Sequence, residues 1–400
     1  MTGFDVTLLL IAIGTVAILW HPKVRGARLW QATVTPLASI IGSGFLIIAP
    51  VLGFLVGNWA FAAIAALSLF AYLIGAAIRY NIVHQEPLLQ ADSAPLWVRT
   101  LERFSDLALV LSYMVSVAFY LRLLAAFVFQ GLHMRQPIAE QLLTTALLLF
   151  IGLTGKTRGL DRLEHLEEYA VALKLGVIAA LIAGLLAYDA QHGLGLRLQA
   201  PRWGWHTWRV LAGLVLVVQG FETSKYLGEK YSATVRVRSM QLAQGISAGI
   251  YIVFVLLMTP LFAYLPAGHV DETDIIALSR HIAAALPLML IVGAVMSQFS
   301  AGVADTVGAG ELLAEASRQR LPSRTGFLVV TLVATGLVWT ANIFEIITYA
   351  SRAFALYYWL QALIATGLAW KRGQQTRSVG FALLSAALLF VVLLAIPVGG

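Results

Sequence analysis

Apolar runs close to twenty residues long follow one another along the whole chain. A helix needs about twenty such residues to cross hydrocarbon, where no water is available to bond the backbone. The runs therefore predict an all-α polytopic membrane protein with short connections and no soluble appendage. Of the 400 residues, 60% are hydrophobic and 12% charged, with mean hydropathy +0.83; a soluble domain has about a quarter charged. The net charge of +7 would suit nucleic acid. However, the basic residues gather in the loops of one side, as the positive-inside rule requires. A lipid bilayer, not nucleic acid, is therefore the expected partner. Cysteine is absent, which excludes a disulfide framework, a thiol nucleophile and a cysteine metal site. The histidines show no ligand spacing, so neither metal nor cofactor is expected.

A leading span covers 4–20. No Lys or Arg precedes it, Asp5 stands at its start, and Lys23, Arg25 and Arg28 follow. That order inverts the charge pattern of a signal peptide, so the span reads as an uncleaved helix with its N-terminus outside. Eleven more spans are predicted, numbered 1 to 11: 30–55, 59–80, 104–132, 138–153, 169–188, 208–227, 240–264, 286–313, 327–340, 343–370 and 379–396. Counting alternately, the inner loops collect Lys23/Arg25/Arg28, Arg99/Arg103, Lys156/Arg158/Arg162, Lys230/Arg236/Arg238, Arg318/Arg320/Arg324 and Lys371/Arg372/Arg377. The outer loops hold Arg135, Arg197, Arg202, Arg209 and Arg280. Adding or removing one span would destroy this asymmetry for every later loop. The expected location is a bacterial cytoplasmic (inner) membrane. The outer segment 271–282 is too short to span. It reads as a short helix over an outer vestibule or as a plain surface loop.

Two stretches interrupt otherwise apolar helices. Ile40-Ile41-Gly42-Ser43-Gly44-Phe45 lies in span 1, and Gln219-Gly220-Phe221-Glu222-Thr223-Ser224 lies in span 6. Glycine lets a helix open at low steric cost, and opened backbone survives in a membrane only where it lines a cavity or is buried in protein. Without the leading helix, spans 1–5 (30–188) and 6–10 (208–370) each count five. Five is odd, so the two units must be inverted, with a break in the first helix of each and span 11 (379–396) left over. The predicted fold is thus a single transmembrane domain of about 12 helices, a 5+5 inverted-repeat transporter with discontinuous spans 1 and 6.

At these residues the chain resembles the amino acid–polyamine–organocation (APC) superfamily of transporters. Ile41-Gly42-Ser43-Gly44 leading to Pro50 is similar to the family's span 1, and Gly220-Phe221-Glu222 with Glu229 to its span 6. Arg236–Arg238, the segment 155–174 with its intramembrane Lys174, and Leu312, Ala314, Ala316 and Leu321-Pro322 also match, over roughly residue 28 to the C-terminus. The family's Ser-Arg pair in span 8 is replaced by Ala309-Gly310. Family oligomer contacts do not carry over, because the leading helix is extra and eleven family-like spans follow where twelve are usual.

The resemblance implies a secondary transporter rather than an enzyme, with a small-molecule substrate. Backbone N–H groups at Ile41, Gly42, Ser43 and Gly44 would hold an amino-acid carboxylate, with the helix dipole behind them; small-residue helix packing is the plain alternative. Carbonyls at Gln219, Gly220, Glu222 and Thr223 would accept from an ammonium group, and Phe221 resembles the family's gating aromatic. Glu222 reads as a structural pin with secondary proton sensitivity, or as a direct substrate contact. Lys174 either snorkels to the interface or, as the resemblance implies, occupies the place of a sodium ion between spans 1 and 8 and sheds its proton during the cycle. Sodium is the rival coupling ion, with Ser297 and Ser300 as hydroxyl ligands. Tyr113 faces the cavity or packs. Arg122, Asp305, Glu345 and Arg352 are ionisable within spans and so also candidates. The leading reading is proton-coupled symport of an amino acid or related organic amine by alternating access. Two others stay open: the same fold carrying an inorganic ion or nucleobase, and a non-transporting sensor or accessory protein. No catalytic serine motif, metal-ligand spacing or phosphate loop supports an enzyme.

Overall fold

The structure is a computed structural model. It describes residues 2–42, 44–134, 136–160, 166–194, 203–266, 270–317 and 320–398. Ser43, Arg135, Arg162, Arg197, Arg202 and Arg318 lie outside the described residues. Among those described there is no strand, and ten helical stretches are long and apolar enough to cross a membrane by length and composition.

The leading helix α1 (Gly3–Trp20) starts in a capping box, with Thr2 and Asp5 bonding each other's backbone N–H groups. Pro22, which opens the short α2 (Pro22–Arg25), follows its end. Span 1 is two helices, α3 (Arg28–Gly42) and α4 (Phe45–Val56). After a 3-10 turn come α5 (Ala60–His84) and the short α6 (Glu86–Gln90). The next helices are α7 (Leu96–Gly131), α8 (Pro137–Arg158) and α9 (Leu166–His192). Span 6 breaks into α10 (Trp205–Ala212), a 3-10 turn at Val215–Val218 and α11 (Thr223–Tyr226). The remainder is α12 (Ala233–Met258), α13 (Asp274–Ser279), α14 (Leu286–Ala316), α15 (Ser323–Thr340), α16 (Ile343–Lys371) and α17 (Gln375–Leu394).

Several elements run longer than the hydropathy suggests. Helix α7 starts at Leu96, because Pro95 is a good helix opener and nothing breaks the polar turns before residue 104. Helix α8 continues to Arg158, where Gly159 ends it at a positive φ. The 271–282 segment contains the short α13, but Asp274, Ile275, Ile276 and Leu278 are buried. It is packed into the bundle against α4 and α14 and does not lie free over it.

Helices α7, α14 and α16 form the centre of the bundle, with α3, α5, α9 and α12 packed around them. Phe119, Tyr120, Phe127, Phe354, Tyr357 and Tyr358 are almost wholly buried there. The leading helix lies along α9. A Cβ on Gly176 would meet the Ala12 carbonyl at 2.8 Å, so only glycine allows this approach. At the other end of α1, the buried Asp5 accepts from the Ala285 N–H at 3.0 Å, at the start of α14. One carboxylate thus caps two helices, each of which would otherwise present unsatisfied N–H groups.

Asp5→Ala removes both caps and should cost about 1–2 kcal/mol, read as a lower melting temperature of the detergent-purified protein, with Asp5→Asn recovering part of the loss. An unchanged melting temperature in Asp5→Ala would show that α1 is not held at this end.

Candidate functional site

Span 1 leaves its helical path between Gly42, the end of α3, and Phe45, the start of α4. Three carbonyls near the end of α3 are each met by a side chain from a different helix. Gln298 Nε2, on α14, donates to the Gly42 carbonyl at 3.0 Å. Tyr251, on α12, has its hydroxyl 3.0 Å from the Ile40 carbonyl. Lys174 Nζ, on α9, donates to the Ala38 carbonyl at 2.8 Å. A carbonyl left bare in hydrocarbon would cost several kcal/mol, so side-chain donors at the end of α3 lower the cost of the break. Gly44 is needed because span 6 passes close by: a Cβ there would lie 2.8 Å from Val217 Cγ2.

Span 6 opens over Gln219–Glu222. Gly220 has φ +116°, and a Cβ on it would lie 2.4 Å from Ser39 Oγ and 2.7 Å from the Ile40 nitrogen. The two breaks therefore touch at a point only glycine can occupy. Glu222 is fully buried and folds back on its own break. Its Oε2 accepts from the Gly220 N–H at 2.9 Å and from the Tyr358 hydroxyl at 2.6 Å. Thr223 Oγ1 donates to the Gly220 carbonyl at 2.8 Å, and Gln219 Nε2 reaches the Tyr120 hydroxyl at 3.3 Å. Phe221 is buried and stacks on Tyr358 at 5.2 Å.

Lys174 is buried rather than extended to an interface. Its ammonium stands where a Cβ on Gly42 would be 3.2 Å from Nζ and 3.7 Å from Ser297 Oγ. A small cavity beside it is lined by Ile41, Phe45, Lys174, Gly293, Ser297 and Gln298, among others. Ser300 is buried on the same helix but does not line that cavity. Around the breaks, Glu222 Oε1, Gln219 Oε1, Gln298 Oε1, Ser224 Oγ and Ser297 Oγ are buried without a hydrogen-bond partner. Three of these atoms can only accept, so the region is set to receive a donor. Among the described residues no group of three or more His, Asp or Glu could hold a metal ion.

The remaining sequence candidates disperse. Tyr113 is buried edge-on to Phe354 at 5.9 Å. Asp305 accepts from Ser116 Oγ, joining α14 to α7. Arg122 pairs with Glu140 at 3.6 Å. Glu345 forms a capping box with Asn342 at the start of α16. Arg352 donates to the Ala395 carbonyl and has no part in a pair with Glu345.

A second polar cluster closes the bundle at the end that carries the basic loops. Lys225 Nζ, on α11, is 2.6 Å from Glu102 Oε1 on α7 and 3.2 Å from Gln361 Oε1 on α16. Gln361 Nε2 donates to Glu102 Oε2 at 2.9 Å and to Ser105 Oγ at 2.8 Å. Asn81 on α5 donates to Gln361 Oε1 at 2.8 Å, and Gln85 donates to Glu102 Oε2 at 2.7 Å. Arg236, on α12, grips Glu86 in a fork at 2.8 and 2.5 Å and also donates to the Lys225 carbonyl at 2.7 Å. The sequence reading missed this cluster, together with Tyr251, Gln298 and Tyr358. The one available signal was that Lys225 and Glu102 lie at the edges of apolar runs.

Comparison with known proteins bears on the family and the fold. The profile of a family described as APC superfamily transporter matches residues 22–395. A protein of Aquifex aeolicus (strain VF5), described as uncharacterized, is 48% identical over 375 residues, spanning 93% of this chain and 92% of its own. Among solved structures, a Na+-coupled sialic acid symporter in a substrate-bound outward-open state superposes with TM-score 0.57 at 15% identity, covering 99% of this chain and 97% of that one. A manganese transporter of Eremococcus coleocola superposes with TM-score 0.57 at 14% identity, covering 92% and 87%. These likenesses are ones of fold. By the profile match, the chain belongs to the APC superfamily of transporters.

Proposed function

We propose that this integral membrane transporter moves an amino acid or a related organic amine by alternating access, with protons as the driving ion. The protein would lie in a bacterial cytoplasmic membrane with its N-terminus outside, and its two interrupted spans would open inverted five-helix repeats. One observation carries the reading: the two breaks touch, beside the buried ammonium of Lys174.

The chemistry follows from what each break offers. The first N–H groups of α4 lack a side-chain cap, and they carry the positive end of its dipole. A substrate carboxylate fits there. The bare acceptors Glu222 Oε1 and Gln219 Oε1 suit an ammonium group. Glu222 mainly ties its own break to Tyr358, and Phe221 stands over the site as a gate. Lys174 holds α3 to α9 while protonated. Loss of its proton leaves the neutral amine with a weaker bond to the Ala38 carbonyl, and α3 is then freer to move. A protonated lysine and a sodium ion repel each other at one site, so Ser297 would ligate sodium only if Lys174 were neutral. The Lys225–Glu102 pair ties α11 to α7 and must part when the basic end opens.

The first test is uptake into proteoliposomes with an inward proton gradient and no sodium. Wild-type protein should accumulate its substrate. Lys174→Ala should lose accumulation, while a ligand-induced rise in melting temperature persists. Unchanged concentrative uptake by Lys174→Ala, or a strict need for sodium, would overturn the proton assignment. A screen of amino acids, amines and nucleobases by melting temperature identifies the substrate class; a response to nucleobases alone would refute the amine reading.

The second test concerns the closing pair. Removing one partner of a buried pair costs about 3–5 kcal/mol, whereas replacing both with apolar groups costs far less. Lys225→Met alone should therefore destabilise the protein more than Lys225→Met with Glu102→Leu, measured by thermal unfolding. Additive losses in the double variant would show that the pair is not coupled.

A further inference from the structure

Glu102 and Asp106 stand one turn apart on α7, which puts both carboxylates on one face of the helix. Their surroundings differ. Glu102 accepts from three donors: Lys225 Nζ on Oε1, and Gln85 Nε2 and Gln361 Nε2 on Oε2. Hydrogen bonds of this kind favour the ionised form. Asp106 is half-buried, and no group among the described residues donates to it. The charges whose fields reach it are Glu102 on its own helix, Lys225 on α11 and Glu315 on α14. Tyr226 on α11 and Tyr357 on α16 also lie within its field, with their hydroxyls 3.4 Å apart. Glu315 is exposed, where water screens it. That leaves one buried lysine between two carboxylates. Away from water a single positive charge does not keep both ionised, and the one without donors takes the proton.

We infer that Asp106 is a proton-binding site at the end that carries the basic loops, and that loss of its proton draws Lys225 away from Glu102. The inference deepens the proton-driven reading above, on which it rests for its purpose; the unequal pair of carboxylates is a property of the fold. One helical turn separates the two acids by about 6 Å along the axis, a shift that the flexible four-carbon stem of a lysine spans. With Asp106 neutral, Lys225 stays on Glu102 and on Gln361 Oε1, 3.2 Å away. The neighbouring Arg236 does not compete, because its guanidinium is committed to Glu86 and to the Lys225 carbonyl. With Asp106 ionised, the lysine meets a second carboxylate that no other donor serves, while Glu102 keeps its two glutamine bonds. The proton leaves to water at the end with the basic loops, and the pair that closes that end loosens. Proton release to that side and loosening of its closure thus become one event.

The test is infrared difference spectroscopy of the substrate-free protein in lipid, following the carbonyl absorption of protonated carboxyl groups as the pH is raised. Wild-type protein should lose one such signal, which Asp106→Asn lacks at every pH and Asp106→Glu restores. Glu102→Gln gives Lys225 to Asp106 and should lower the midpoint of that loss by about 1–3 pH units, the effect of an unshared cation beside a carboxylate. Glu315→Gln is the control and should leave the midpoint in place. Over the wild-type transition, backbone hydrogen exchange in a peptide spanning 221–231, corrected for its intrinsic pH dependence, should quicken about three- to tenfold as the bond to Glu102 is lost. In Asp106→Asn it should not. The same carboxyl signal in Asp106→Asn, an unmoved midpoint in Glu102→Gln, or exchange that quickens equally in Asp106→Asn would overturn the inference. No substrate is present, so failure to find proton-driven uptake would refute the reading above and leave this result standing. A missing signal would strike Asp106 and leave the Lys174 test to stand on its own.

Discussion

A helix opened inside a membrane must find new partners for the backbone groups it releases, because hydrocarbon supplies none. In span 1 that requirement is met from outside the broken helix. Gln298, Tyr251 and Lys174 come from three different spans to serve Gly42, Ile40 and Ala38. Glu222 and Thr223 serve the Gly220 backbone from within their own break. The packing of α3 against α9, α12 and α14 follows from this, since each contributes a polar group that would be costly to bury elsewhere. Carbonyls at the opened backbone are therefore served by side chains, while the first N–H groups of α4 keep no side-chain cap.

The charges are arranged around that centre. Lys174 lies on one side of span 1, between α3 and α14, while Glu222 lies in span 6 against α16. Neither faces lipid, as intramembrane ionisable groups rarely do. The Lys225–Glu102 pair and the Arg236–Glu86 fork close the end with the basic loops. The extra helix α1 stands on α9, the helix that carries Lys174, and is pinned to α14 through Asp5. It thus braces the helix that carries the lysine and the helix that carries Ser297.

Much of this was legible in the sequence for a simple reason. Twenty-residue apolar runs and glycines inside them are local signals, and they marked the helical architecture and both interruptions, although about twelve spans were expected and ten helical stretches among the described residues are long and apolar enough to cross. Gly220 stands where only glycine fits against the backbone of span 1, and Gly44 lies close against the Val217 side chain. The partners were not readable, because a side chain bonded to a distant carbonyl leaves no local trace. Tyr251 in an apolar run reads as packing, and Gln298 reads as one polar residue in a small-residue helix. Glu345 has a local role that its own segment spells out: Asn342 three residues before it makes a capping box. The polar turns at the start of α7 were left out because hydropathy marks the hydrocarbon, not the end of the helix. Of the expected coupling residues, Ser297 stands beside Lys174 and Ser300 does not line that cavity, a distinction set by the rotation of α14.

The claim beneath this account is that two opened backbones meet in mid-membrane and together cradle a solute. A density map of the protein in lipid, determined with its bound substrate, measures this directly. The account predicts that span 1 leaves the helical path between Gly42 and Phe45, that span 6 does so between Val218 and Thr223, and that solute density touches both. Two continuous helices at those positions, packed against each other by apolar side chains alone, would contradict it.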